Sequence, residues 1–401
     1  MHRAGWWRLF VTLMAAGELV MGAGGDDVYA LRGGRIYTIS HGVIEDGVVL
    51  IGGGKILDAG LSVKVPEGAR VIDARGAVVT PGLIDARTSF GIGPDDSWER
   101  MDPVVPQVRI VDSFSLPGDH DWIKEGVTAV YVSPGPQNVI GGMGAVVKLA
   151  GRPDAIVVSN TAGMSLSLGE VPKASFRERA PRTRMGAAAL IREAFSRARQ
   201  RLEDAGAPPG ADPGFAALGR VLRREVSARV QANTPDDIAT ALRLGEEFGF
   251  RVVIDIGVGA HLVADRLARA GVSVVVGPNM IAAGRGGRYE FSAHTEENAA
   301  RLHEAGVKIA ICTDRAEGAP VAMEAAISRA HGLPEAEALR AITMSAAEIL
   351  GVADRMGSID KGKDADLVVW TDHPLRTWSR VEKVFIDGRL AFDRSAAKRK
   401  A

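Results

Sequence analysis

The sequence predicts an α/β protein: a closed (β/α)8 TIM barrel with a small β-sandwich domain built from both chain ends. Three observations predict it. Residues 227–313 repeat strand, helix, strand, the grammar of parallel strands joined by crossover helices. Residues 28–79 and 366–392 instead alternate apolar and polar positions around glycine turns, which is hairpin grammar. Between these ends, residues 81–351 fit a closed barrel better than an open sheet. The expected layout is a signal peptide over residues 1–24, a composite β domain from residues 25–80 and 353–395, and a barrel over residues 81–352.

The N-terminus reads as an export signal. His2, Arg3 and Arg8 make a basic start, residues 9–17 are a short apolar core, and the small residues Ala15-Ala16-Gly17 and Gly22-Ala23-Gly24 follow. The apolar stretch is too short to span a bilayer, so no membrane span is expected after cleavage. The expected location is the periplasm or the exterior.

Residues 28–39 and 48–59 are the first hairpin strands, punctuated by Gly33-Gly34 and Gly52-Gly53-Gly54. Residues 70–79 add another. In the middle, residues 227–231 form a strand, and Thr234-Pro235-Asp236-Asp237 opens a helix. Thr234 is its N-cap, Pro235 sits in the first turn, and the acids lie at the positive end. Ile238, Ala241, Leu242 and Phe248 make its buried stripe, and Gly249 ends it. Strands at 251–256, 272–276 and 307–313 alternate with helices at 262–270 and before Gly306. Residues 185–202 are an amphipathic helix with Leu190, Ile191, Phe195, Ala198 and Leu202 on one face. Residues 163–184 read as a long polar, basic loop, of the kind that serves as a lid or contact surface. After the barrel, residues 366–370, 381–386 and 389–392 are strands, the last two joined by an Asp387-Gly388 turn.

Composition narrows the function. With 401 residues, 46% of them hydrophobic, the chain can bury a large core. Lys plus Arg and Asp plus Glu number 49 each, which gives no argument for nucleic acid or an anionic membrane as a partner. Cys312 is the only cysteine, so no intrachain disulfide forms, and its apolar surroundings mark a buried, inert thiol. No Gly-x-Gly-x-x-Gly follows a strand, so a dinucleotide site has no support.

Three stretches carry a resemblance to a known family. They are Pro81-Gly82-Leu83-Ile84-Asp85-Ala86; Gly126-Val127-Thr128 onward to Gly151, with Ser133-Pro134-Gly135 and Gly141-Gly142; and Gly357-Ser358-Ile359-Asp360-Lys361-Gly362-Lys363-Asp364-Ala365-Asp366-Leu367. The chain resembles the imidazolonepropionase-like branch of the amidohydrolase superfamily from about residue 28 to residue 392. The resemblance implies metal-assisted hydrolysis of amide, lactam or related C–N bonds. It also implies one or two divalent ions at the strand ends. The family's ligands are two histidines after strand one and one each after strands five and six, with an aspartate after strand eight. Zinc needs three or four such donors at ~2.0–2.2 Å, and it lowers the pKa of bound water to ~7.

The four imidazole positions map to Arg87, Ser89, Gln231 and Ile256, and only Asp314 matches as a catalytic residue. Lys148 falls where some relatives carry a carboxylated lysine that bridges two metals. The expected cavity lining is therefore Arg87, Ser89, Lys148, Gln231, Asp255 and Ile256. His120, His261 and His294 read as surface, capping or packing residues rather than ligands. A guanidinium ~4 Å from a divalent ion, at an effective dielectric of ~20, repels it by about 8 kcal/mol. Arg87 is thus expected to replace the metal and to pair with Asp314 or Asp85.

Two readings follow. In the first, a catalytically degenerate relative without a cofactor binds a small molecule or a partner such as a paralogous amidohydrolase. In the second, an active hydrolase of amide or lactam bonds uses Asp314, either metal-free or with zinc or another divalent ion held by Asp85, Asp255, Asp314 and Lys148. Fold alone does not decide between them.

Overall fold

The computed structural model describes residues 27–116, 121–151, 155–176, 178–203, 212–280, 289–314 and 320–397. The expected signal peptide and His120 lie outside these residues. Five strands precede the barrel: β1 (Tyr29–Tyr37), β2 (Val43–Gly52), β3 (Lys55–Gly60), β4 (Arg70–Asp73) and β5 (Val78–Pro81). Eight form it: β6 (Leu83–Thr88), β7 (Val127–Val132), β8 (Ile140–Lys148), β9 (Val157–Ser167), β10 (Ala228–Gln231), β11 (Val252–Ile256), β12 (Ser273–Val276) and β13 (Ile309–Ile311). Three follow: β14 (Leu367–Trp370), β15 (Val381–Ile386) and β16 (Arg389–Asp393).

Strands from both chain ends share one sheet, in the order β16-β15-β14-β5-β1-β2-β3, with β4 paired to the first half of β1. Hydrogen bonding therefore links these strands as a single branched sheet. Leu31, Ile36, Ile51, Val79, Leu367, Val369 and Phe385 make its core. The turn at Asp387-Gly388 has φ of 49° and 69°, the type I′ signature that Asp-Gly favours.

The barrel sheet runs β6 to β13 in sequence order. It departs from the expected (β/α)8 repeat in its first half. β8 is antiparallel to both β7 and β9, so two hairpin connections stand where crossover helices were expected. The remaining neighbours are parallel. Helices cover the second half, among them Arg184–Glu203, Pro213–Leu222, Pro235–Phe248, Asn298–Glu304 and Val321–Ala330. Part of the expected loop 163–184 is also regular: β9 extends through Ser167, and Glu170–Ser175 is a short helix.

Local chemistry accounts for the helix that flanks the mouth. The Thr234 hydroxyl accepts the Asp237 N–H at 3.2 Å and donates to the Asp237 carboxylate at 2.7 Å. Gly249 closes the helix at φ 74°, a left-handed conformation that glycine adopts without Cβ strain. The two end strands, β6 and β13, approach each other so that the barrel is nearly closed, and just beyond β13 the Asp314 N–H donates to the Arg87 carbonyl at 3.0 Å.

Candidate functional site

β6 delivers the first functional side chains, and its pairing with β7 slips by one residue between Asp85 and Thr88. Such a bulge re-aims the side chain it carries. The chain bends there, and Arg87 reaches across the barrel mouth. Its Nη1 donates to Asp314 Oδ1, its Nη2 donates to Gln231 Oε1 at 2.8 Å, and its Nε lies 3.6 Å from Asp255. Arg87 is 4% exposed. Burial opposes its charge, but the carboxylates of Asp314 and Asp255 outweigh burial and hold its pKa above the ordinary value.

A second guanidinium lies beneath the first. Arg229, fully buried on β10, donates to both oxygens of Asp255, at 2.7 and 3.1 Å, and to the Ala86 carbonyl at 3.0 Å. Its face sits 4.2 Å from the Tyr131 ring centre. Asp85 is not a partner of either guanidinium. It accepts the Thr313 hydroxyl at 2.6 Å and the backbone N–H groups of Thr313 and Arg87 at 3.1 and 3.2 Å. Burial nevertheless pushes its pKa up to about 7. Cys312 is buried, and its thiol is likewise pushed up by burial.

Above this floor is a cavity of about 300 Å³ whose wall includes Arg87, Ser89, Gln231, Asn233, Ile256, Glu290 and Asp314. Of the sequence-derived lining, Arg87, Ser89, Gln231 and Ile256 come together here, beside Asp314. Asp255 lies under the wall, held by Arg229. Lys148 is elsewhere and corrects the expectation. Because β8 runs antiparallel, its last residue points to the opposite end of the barrel. There Lys148 pairs with Asp364 and Asp366 at 2.9 Å and with Asp387 at 2.5 Å. Among the described residues no lysine lines the mouth cavity.

Two wall residues have left-handed backbones, Ile256 at φ 69° and Asp314 at φ 58°. For β-branched Ile256 that conformation is strained. The strand end keeps a shape its own side chain disfavours. Sequence reading missed Arg229, Tyr131 and Glu290. The available signal was polar residues inside apolar strands, Arg229 in Ala-Arg-Val and Asp255 in Val-Ile-Asp-Ile.

The donor set does not fit a divalent ion. Arg87 offers only donors, Ile256 offers nothing, the Gln231 oxygen is engaged by Arg87, and Asp314 is ion-paired. Among the described residues no three His, Cys, Asp or Glu side chains are grouped to hold a metal. His261 and His294 are not part of the cavity wall.

A barrel joined to a sheet made from both chain ends is an α/β fold of the amidohydrolase kind. Residues 214–391 match the Amidohydrolase family model. A crystal structure of an amidohydrolase from Thermotoga maritima MSB8 is 34% identical, covers 91% of this chain and 100% of that one, and superposes with a TM-score of 0.86. The chain belongs to the amidohydrolase family. Amidohydrolase tasK of Hapsidospora irregularis is 29% identical over 95% of this chain, which spans only 42% of that protein's length. Imidazolonepropionase of Acidiphilium cryptum is 24% identical over 82% of this chain and 88% of its own.

Proposed function

We propose that this amidohydrolase-family chain is catalytically degenerate and uses the barrel mouth to bind a small molecule. The observation that supports this is the Arg87 side chain, which joins Asp314 and Gln231 at the positions of a family aspartate and a family histidine. A fixed cation there neutralises Asp314 as an ion would, but it cannot lower the pKa of a water or polarise a carbonyl as a Lewis acid. The oxygen-ligated alternative finds its acids already committed, Asp85 to Thr313 and Asp255 to Arg229. A paralogous amidohydrolase as partner, and export through the N-terminal segment, belong to the same proposal.

Elemental analysis of the purified protein, paired with a hydrolysis screen of N-acyl amino acids and small lactams, tests this. The expected result is no stoichiometric divalent metal and no turnover. Zinc near about one equivalent, as a structural or catalytic site binds it, would overturn the proposal. So would turnover abolished by Asp314→Asn.

A further inference from the structure

Glu290 stands where the mouth cavity meets an outer cleft of about 780 Å³, and it lines both. It is 2% exposed. Its Oε1 accepts the backbone N–H of Glu170 at 2.8 Å, and among the described residues no cationic side chain lies within ion-pair distance of it. Arg184, the nearest candidate, turns to Glu170 at 3.4 Å and to Asp237 at 3.7 Å instead. The local backbone is shaped to hold the carboxyl: Gly169 has φ 94°, and a Cβ there would collide with Oε1. Burial pushes the Glu290 pKa up, the hydrogen bond from the Glu170 N–H opposes it, and the neighbouring acids Asp237 and Glu170 raise it further against a smaller pull from Arg184.

A buried carboxyl without a cation costs stability, and a packing role would be filled as well by glutamine. Aromatic surface is at hand in Phe291 on the inner wall, whereas the Tyr289 ring in the outer cleft already carries the Arg184 guanidinium, 5.4 Å from its centre. Such rings favour an organic cation over a hydrated one. From this we infer that Glu290 anchors a small organic ammonium ligand, which enters through the outer cleft and lies against Phe291. The inference rests on the mouth being a binding site, and it adds the chemical class of what binds.

Calorimetry on the full chain with n-butylammonium, n-butanol and butyrate at about pH 7 tests it. Butylammonium is expected to saturate the site, because its charge meets the buried Glu290 carboxylate. Butanol binds at least about tenfold more weakly, and butyrate gives no binding heat. Glu290→Gln is expected to melt no lower than the native protein and to lose roughly ten- to hundredfold in butylammonium affinity. Equal binding of butyrate, affinity in Glu290→Gln within about twofold of native, or no binding of butylammonium to the native protein would each overturn the assignment. The metal analysis reads Arg87 and Asp314, not Glu290. Its outcome and this one therefore fail separately.

Discussion

Arg87 is the residue on which the barrel mouth depends, because three polar side chains meet on its guanidinium. Asp255 has a second partner in Arg229, so loss of Arg87 falls mainly on Asp314 and Gln231. Removing one member of a buried ion pair typically costs about 3–5 kcal/mol, whereas replacing both with apolar groups is often near neutral. Arg87→Met is therefore expected to lower stability by about that amount, at the lower end because Asp314 keeps 14% of its side chain exposed. Arg87→Met combined with Asp314→Asn, which removes the charge and tolerates the left-handed backbone, is expected to cost less than Arg87→Met alone. Urea denaturation of the two single variants and the double variant closes the cycle. If the double variant costs the sum of the singles, the pair is not coupled and Arg87 is not the counter-charge of Asp314.

At the scale of the element, β8 matters most, since its direction moves Lys148 from the mouth to the seam with the terminal sheet. Lys148 is fully buried between Asp364, Asp366 and Asp387, which lie on or beside the strands returning from the barrel. Burial disfavours its charge, but Asp366 and Asp387 hold the pKa above the ordinary value. Lys55 and Arg355 share Asp364, so the three acids are matched by three cations. Lys148→Met breaks that match in the dry centre and is expected to cost about 3–5 kcal/mol, read as a lowered urea midpoint. An unchanged midpoint would mean that the seam is held by apolar packing alone. The same element shows what the sequence could not disclose. Helix Pro235–Phe248 was legible because its cap, first-turn proline, acids and terminal glycine are all local signals. The terminal hairpins were legible for the same reason, through Gly53-Gly54 and Asp387-Gly388. The β7–β8–β9 hairpins were not, because β7 and β8 are buried throughout and lose the alternation that separates a hairpin from a crossover. The replaced ligand positions at the mouth could be mapped by family resemblance. Arg229 and Glu290 could not, because their meaning lies in partners 26 and 120 residues away.

Across the whole molecule, the buried acids fall into two groups that act in different pH windows. Burial raises Asp85, to about 7, and also Asp237, Glu290 and Glu324. An acid whose folded pKa is raised binds its proton more tightly when folded. Its contribution is therefore lost as pH climbs from the unfolded value of about 4 through the folded one. The second group is lowered. Asp73, through hydrogen bonds to Arg75, and Asp393, through Lys383 and Ser395 despite some burial, fall to about 2. These acids stabilise above about pH 4, and their contribution is lost as pH drops through the folded values. Asp73 is exposed and its ion pair is screened by solvent, while Asp393 is partly buried, so the acid limb is shallow. The steeper limb is the one set by the raised acids, Asp85 foremost, and it runs upward in pH. Stability is thus expected to peak near about pH 5 and to decline toward about pH 8. Asp85→Asn removes the largest of these titrations but also weakens the grip on Thr313. It is expected to be less stable than native near about pH 5 and to show a flatter decline from there to about pH 8. Urea midpoints at the two pH values decide it. A native protein more stable at about pH 8 than at about pH 5 would mean that Asp85 stays ionised in the fold, its charge held by Thr313 and the Arg87 N–H against the pull of burial.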